Sequence, residues 1–154
     1  MADSKTMSQH VTFMGEFMTN MNALTTALLK DLRSKYGVSN EQSSVLLMLS
    51  SHKSLTLTEI TLKQGVNKAA VSRRIKKLVD LGLVQWMTMN HEYDKRLKYV
   101  ALTEEGANYV RASRDLIANL ANKMLSDIPL NQIEATREML EKIDERIKSQ
   151  LSRL

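Results

Sequence analysis

The stretch VNKAAVSRRIKKLVDLG, from Val66 to Gly82, decides the fold. Asn67 is a favourable helix N-cap and Gly82 a favourable residue just beyond a helix C-terminus, so the stretch predicts one helix between them. Its apolar positions, Val71, Ile75, Leu78 and Val79, fall on one narrow side at helical spacing. The opposite side begins with small residues and becomes basic; it holds Ala69, Ser72, Arg73, Lys76, Lys77 and Asp80.

The segment before this helix predicts a partner helix. Thr56 and Glu59 form a capping box that opens a short helix, and Gly65 ends it. Two helices joined by a three-residue turn are typical of a helix-turn-helix. After Gly82 the period changes, and residues 83–89 and 97–102 predict two strands around a polar turn. The helix-turn-helix is therefore expected to carry a hairpin wing.

Long helices are expected on both sides of this lobe. The first runs from about residue 11 to 35 and ends at Gly37, after which Ser39 and Gln42 form a second capping box. Thr103 caps a helix over residues 104–126, and Pro129 separates it from a last helix over 131–151. The last helix has apolar residues every seven positions, which favours a helical partner; they are Ile133, Leu140, Ile147 and Leu154.

These patterns predict a mainly α fold with a small β-hairpin wing. Residues 38–103 are expected to form a winged helix-turn-helix DNA-binding lobe. Residues 1–37 and 104–154 are expected to form a helical dimerisation region, because their broad apolar faces exceed what one helical layer covers.

The positive charge is concentrated in the centre of the chain. The 154 residues carry a net charge of +5, but residues 60–98 alone hold nine basic and three acidic residues, a difference of +6. A surface helix that is only solvated usually mixes charges of both signs. A block of one sign indicates a polyanionic partner, and double-stranded DNA is the partner that a helix-turn-helix fits.

The predicted DNA contacts differ in kind. Arg73 and Ser72 are expected to reach base edges, because arginine fits guanine bidentately. Lys76 and Lys77 are better placed for phosphates, which set the register. In the wing, Asp94 is expected to support Arg96 by holding its side chain extended. The predicted DNA-binding set is Lys68, Ala69, Ala70, Ser72, Arg73, Lys76, Lys77, Lys95 and Arg96; the alternative is a solvated basic helix and an ordinary polar turn.

Composition excludes several other classes of protein. The chain has no cysteine, so thiolate metal sites, cysteine nucleophiles and thiol-based peroxide sensing are absent. His10, His52 and His91 are scattered and predict no metal site. Enzyme motifs for nucleotide, phosphate or acyl chemistry are also missing, so we expect neither an enzyme nor a cofactor. No apolar run is long enough to span a membrane, and the expected location is the cytoplasm, with the nucleoid when DNA is bound.

The order of the elements resembles the MarR family of winged-helix repressors. The resemblance rests on the capped helix-turn-helix, the Asp94-x-Arg96 wing and the segment from Leu102 to Gly106, and it covers nearly the whole chain. It implies a triangular homodimer whose first and last helices interlock, with two lobes on adjacent major grooves of a pseudo-palindromic operator. It also implies release by small aromatic acids such as salicylate, or by drug-like molecules, and target genes of resistance or biofilm type.

Candidate effector contacts are polar residues near apolar faces. Asn22 interrupts a methionine- and leucine-rich face, and Glu41 and Gln64 begin or end neighbouring helices. A carboxylate ligand would also need a cation, for which Lys63 or Arg73 is the expected source. The alternative is that these residues are ordinary surface or capping groups.

A second function stays open from the sequence. A sequence-neutral nucleic-acid-binding or architectural protein would also be basic. Binding single strands in that way depends on exposed aromatic side chains that stack with bases. The chain has only seven aromatic residues, and two of them, Trp86 and Tyr99, fit hairpin packing.

Overall fold

The computed structural model of the chain describes residues 3–88 and 98–154. The chain forms two compact units, Met1–Ile117 and Ala118–Leu154. The helices are α1 (Ser4–Leu28), α2 (Lys30–Tyr36), α3 (Asn40–Leu49), α4 (Leu57–Gln64), α5 (Lys68–Asp80), α6 (Glu104–Met124) and α7 (Leu130–Leu151). The strands are β1 (Leu55–Thr56), β2 (Val84–Thr88) and β3 (Lys98–Leu102). The mainly α fold with a small sheet is confirmed.

The core of the first unit lies between α3, α5, the sheet and the start of α6. Val71, Ile75 and Leu78 of α5 are fully buried, and Val79 packs beside them. This confirms the apolar stripe expected for this helix. Burying one such side chain contributes about 1.5–3 kcal/mol. The position of α5 is therefore fixed by its apolar side, and its other side is left to solvent.

The predicted caps are present. Ser39 with Gln42, and Thr56 with Glu59, each form both hydrogen bonds of a capping box. The Asn67 side chain accepts from the Ala70 amide at 2.8 Å. Three glycines adopt left-handed backbone angles at the helix ends where the sequence places them, namely Gly37, Gly65 and Gly82.

The first helix differs from its prediction. It begins at Ser4 and stops at Leu28, and α2 continues from Lys30, so one helix over residues 11–35 is wrong. Leu29 between them is buried, and the Arg33 guanidinium donates to the Thr26 carbonyl at 2.8 Å. An arginine side chain thus satisfies a backbone acceptor near the interruption, which apolar spacing does not reveal.

The sheet contains one strand that the sequence does not predict. Strand β3 pairs antiparallel with β2 on one side and with the two-residue β1 on the other. The β2–β3 pair confirms the base of the expected hairpin, with Val84 opposite Leu102. The wing residues Asp94, Lys95 and Arg96, and also His91, lie outside the described residues, so their roles stay predictions.

Helix α7 dominates the second unit. Pro129 precedes its first turn, as expected of a proline before a helix, and no residue of α7 is buried. Leu140, Ile143 and Ile147 remain 42–51% exposed in the single chain. Surface pairs stabilise the helix locally; in one, the Asp144 carboxylate accepts a 2.7 Å hydrogen bond from Lys148 and raises the pKa of that amine.

Within residues 3–88 and 98–154, no helix is long and apolar enough to cross a membrane. In the same ranges no cluster of three or more histidine, cysteine, aspartate or glutamate side chains could hold a metal ion.

Candidate nucleic-acid interface and adjoining cavity

Helix α5 presents one basic face to solvent. Its buried stripe faces the core, so the side chains on the far side point outward. The exposed members of the predicted DNA-binding set are Lys68, Ala69, Ser72, Arg73, Lys76 and Lys77, while Ala70 is half-buried. The structure therefore brings seven of the nine predicted contacts together on one helix, and the other two lie in the undescribed wing.

The charges of this face are not neutralised within the described part of the chain. The ion pairs found there join Arg137 to Glu141 and Lys148 to Asp144, both on α7. The first turn of α5 also lacks an acidic residue and begins with Lys68. The charge of Lys68 therefore adds to the partial positive charge that the helix dipole places at the N-terminus. An exposed helix with free cations and a positive N-terminus is suited to a phosphate backbone.

Arg74 differs from the other basic residues of α5 in its exposure and in its contacts. It is half-buried, and its guanidinium donates to the Gln64 Oε1 atom at 2.7 Å. The Gln64 side-chain amide in turn donates to the Glu41 carbonyl at 3.4 Å. These two hydrogen bonds join α5 to α4 and α4 to α3.

A cavity of about 500 Å³ lies behind the helix-turn-helix, within the first unit. Residues of α1, α3, α4 and α5 contribute to its wall, together with the adjoining turns. The lining residues are Asn22, Thr25, Thr26, Leu29, Asn40, Glu41, Ser43, Ser44, Leu47, Lys63, Gln64, Val66 and Arg74. The volume falls in the range typical of small-molecule pockets.

The three candidate effector residues, Asn22, Glu41 and Gln64, all line this cavity. Of the two expected cations, Lys63 lines it and Arg73 does not; Arg74 stands there instead. Sequence reasoning assigned Arg74 no role. Its sequence position could have suggested a partly buried side chain. Arg74 projects about 60° from Val71 around the helix axis, at the border of the apolar stripe rather than on the outward face.

Comparison with known proteins assigns the family. A sequence model described as the MarR family matches residues 36–85. The chain is also 45% identical to the HTH-type transcriptional regulator TcaR of Staphylococcus aureus (strain Newman) over 145 residues, which cover 94% of this chain and 95% of that protein. The chain belongs to the MarR family. It is a DNA-binding transcriptional regulator, and the expectation that it is not an enzyme is confirmed by these relatives.

Solved structures of MarR-family proteins share the fold. A MarR family protein from Bacillus stearothermophilus aligns with a TM-score of 0.76 at 17% identity, covering 96% of this chain and 99% of that one. The regulator BldR from Sulfolobus solfataricus aligns with a TM-score of 0.71 at 23% identity, covering 95% and 99%. The winged-helix fold is thus confirmed, while the division into residues 38–103 and a dimerisation region stays a prediction. MarR-family regulators bind DNA and act as dimers.

Proposed function

We propose that this MarR-family chain is a homodimeric repressor that binds a pseudo-palindromic operator and is released by a small aromatic or drug-like effector. The observation that carries the proposal is the exposed basic face of α5, which forms no ion pair with the residues that the structure describes, together with a cavity of about 500 Å³ to which the same helix contributes. In this proposal helix α5 contacts the DNA and also borders the cavity that binds the effector.

In this proposal the lobe of residues 38–103 reads DNA, and residues 1–37 and 104–154 hold the dimer. Helix α5 enters the major groove, where Ser72 and Arg73 meet base edges and Lys76 and Lys77 meet phosphates. The small residues Ala69 and Ala70 let the helix backbone approach. Lys95 and Arg96 of the wing, supported by Asp94, add contacts in the minor groove.

The terminal helices supply the dimer contacts. Neither α1 nor α7 buries a residue in the single chain, although both carry long apolar faces. Phe13 and Met18 are each 61% exposed. Exposed apolar surface on that scale favours a second copy of a protein from a dimeric family.

The effector is proposed to bind in the cavity through Asn22, Glu41 and Gln64. The wall combines apolar groups such as Leu29 and Leu47 with these polar side chains and with two cations, Lys63 and Arg74. An aromatic ring with one carboxylate fits this mixture, which is why salicylate is a suitable probe. The family resemblance stated above is the ground for proposing target genes of resistance or biofilm type.

The test is a footprint on the intergenic DNA beside the protein's own gene. We expect protection of one short inverted repeat, with half-sites about one helical turn apart, and loss of the footprint when salicylate is added. Deletion of the gene is expected to raise transcription from that promoter. Uniform protection without a preferred site would favour the sequence-neutral alternative, and a footprint that ignores salicylate and drug-like molecules would contradict the effector part.

A further inference from the structure

The outer half of the sheet carries a small exposed patch that the predicted DNA contacts do not include. In the antiparallel register Trp86 lies opposite Val100, and Thr88 lies opposite Lys98. Residues paired in this way share one face of a sheet. That face begins at buried Val84 and Val100, which belong to the core around α5, and ends at exposed Thr88 and Lys98. Trp86 stands between the two parts and is 44% exposed.

The exposed part of this face offers hydrogen-bond donors and a positive charge. Trp86 has an indole N–H, Thr88 a hydroxyl and Lys98 an ammonium group. The strands β1, β2 and β3 contain no acidic residue. Within the described part of the chain, the side chains of Trp86 and Lys98 have no hydrogen-bond or ion-pair partner. The two are diagonal neighbours, about 7–8 Å apart at such positions, so one extended anionic ligand can reach both.

The place of this patch on the lobe indicates which anion it meets. Strand β2 follows the turn at Gly82 that ends α5, and the predicted wing contacts Lys95 and Arg96 come later in the chain. In the proposed function α5 occupies the major groove and the wing reaches the adjacent minor groove. One sugar-phosphate strand separates these grooves, and it must pass between α5 and the wing. The patch lies on the side of the sheet that packs toward α5, where this strand would run.

We propose that Trp86, Thr88 and Lys98 form a further phosphate-backbone site of the lobe, on the strand between the major and minor grooves. The inference rests on the proposed DNA docking and adds residues to it. Lys98 supplies the charge and Thr88 a hydroxyl donor. The Trp86 ring packs against a deoxyribose while its Nε1–H donates to a phosphate oxygen. Phosphate contacts fix the register without reading bases, so the site contributes alike to operator and random DNA.

Intrinsic fluorescence tests the contact directly, because Trp86 is the one tryptophan in the chain. The full-length protein is titrated with a duplex that carries the operator found by footprinting. We expect a shift of the emission and weaker quenching by acrylamide, a neutral molecule that DNA does not repel. A random duplex at low salt should produce the same changes. Unchanged emission and quenching, while anisotropy shows the operator bound, would overturn the proposal.

Charge variants separate a local contact from the overall field of the protein. Lys98→Gln should weaken binding to operator and random DNA alike, and flatten the log–log salt slope by about 1 for each lobe. Adding Gln85→Lys restores the net charge but puts the cation on the opposite face of the sheet, where Gln85 is exposed. This double variant should keep the flattened slope, and Gln85→Lys alone, the matched control, should keep the wild-type slope. A wild-type slope in Lys98→Gln or in the double variant would overturn the proposal.

The indole donor has its own test. Trp86→Phe keeps an aromatic ring and removes the N–H, so both DNAs should bind about 5- to 100-fold more weakly for one hydrogen bond lost in each lobe. A neutral methylphosphonate is then placed at single linkages between the two grooves of the operator. At one of them it should weaken wild-type binding and have little further effect on Lys98→Gln. Additive losses at every linkage would refute the contact, and Lys98→Gln decides the matter even if Trp86→Phe does not fold. Absence of operator binding by the wild type would instead contradict the proposed function itself.

Discussion

At the scale of single residues, Gly106 shows how one missing Cβ fixes the junction between the sheet and α6. Thr103 caps the helix by accepting from the Gly106 amide at 3.1 Å, and its own amide donates to the Leu83 carbonyl. A Cβ on residue 106 would lie 2.0 Å from that carbonyl oxygen. The backbone of α6 therefore approaches Leu83 at a distance that only glycine permits.

We expect Gly106→Ala to destabilise the protein by about 1–3 kcal/mol, as overpacking does. Helix propensity alone predicts the opposite sign, a gain of about 1 kcal/mol. The measurement is the free energy of unfolding in urea. Glu105→Ala, at the exposed neighbouring position, is the control and should change it by about 0.5 kcal/mol or less. A stabilised Gly106→Ala would show that the strand–helix junction relaxes.

Arg73 and Lys76 are both exposed on α5, and the proposal gives them different tasks. Arg73→Ala should narrow the affinity gap between operator and random DNA by about 1–3 kcal/mol for each lost base contact. Fluorescence anisotropy on both DNAs at one salt concentration measures this gap. Equal losses on operator and random DNA would mean that Arg73 contacts no base.

Lys76→Ala should instead weaken binding to every sequence alike, because a phosphate contact carries no sequence information. Its signature is the salt dependence of the affinity, whose log–log slope should flatten by about 1 for each lobe. The same titrations over a range of salt concentrations measure it. A slope equal to that of the wild type would remove Lys76 from the phosphate contacts.

At the scale of elements, the sequence predicts features that depend on neighbouring residues, but it does not predict contacts between distant parts of the chain. The capping boxes at Ser39 and Thr56 and the glycine turn at Gly65 involve residues within four positions of each other, so the sequence alone locates those helix ends. Strand β1 consists of Leu55 and Thr56. The strand residue opposite Leu55 is Val100, 45 positions further along the chain. The interruption at Leu29 likewise depends on burial and on the Arg33 side chain.

The residues that line the cavity also differ in how far the sequence could predict them. Asn22, Glu41 and Gln64 could be selected because each is a polar residue on or beside an apolar helix face. Arg74 was assigned no role, because its position at the border of the apolar stripe does not reveal what its guanidinium contacts. Only the packing of α5 against α4 brings its guanidinium to Gln64.

Helix α7 carries a prediction about assembly. Leu140→Glu with Ile147→Glu should convert the dimer to a monomer, because the new charges would be buried against the partner helix. Sedimentation measures the mass, and specific operator binding should be lost with the dimer. Ser149→Glu adds a charge about 200° around the helix from Ile147 and should leave the dimer intact. A folded monomer that binds the operator with full affinity would contradict dimer-dependent recognition.

At the scale of the whole molecule, the cavity and the basic face share helix α5. In the proposed function, a ligand in the cavity is therefore expected to change the affinity for DNA. An effector acts only through its difference in affinity for the operator-bound and free conformations. A coupling free energy of about 1–3 kcal/mol suffices for a 5- to 150-fold change in operator affinity.

Thermodynamic reciprocity makes this coupling measurable from both directions. If salicylate weakens operator binding by some factor, saturating operator DNA must weaken salicylate binding by the same factor. Calorimetric titration of salicylate into the dimer, with and without operator, gives one value, and anisotropy of labelled operator with and without salicylate gives the other. A random duplex of equal length controls for the charge of the DNA. If salicylate affinity is identical with and without operator while salicylate still displaces the DNA, the ligand acts at the DNA-binding surface or by nonspecific competition, and release through the cavity is wrong.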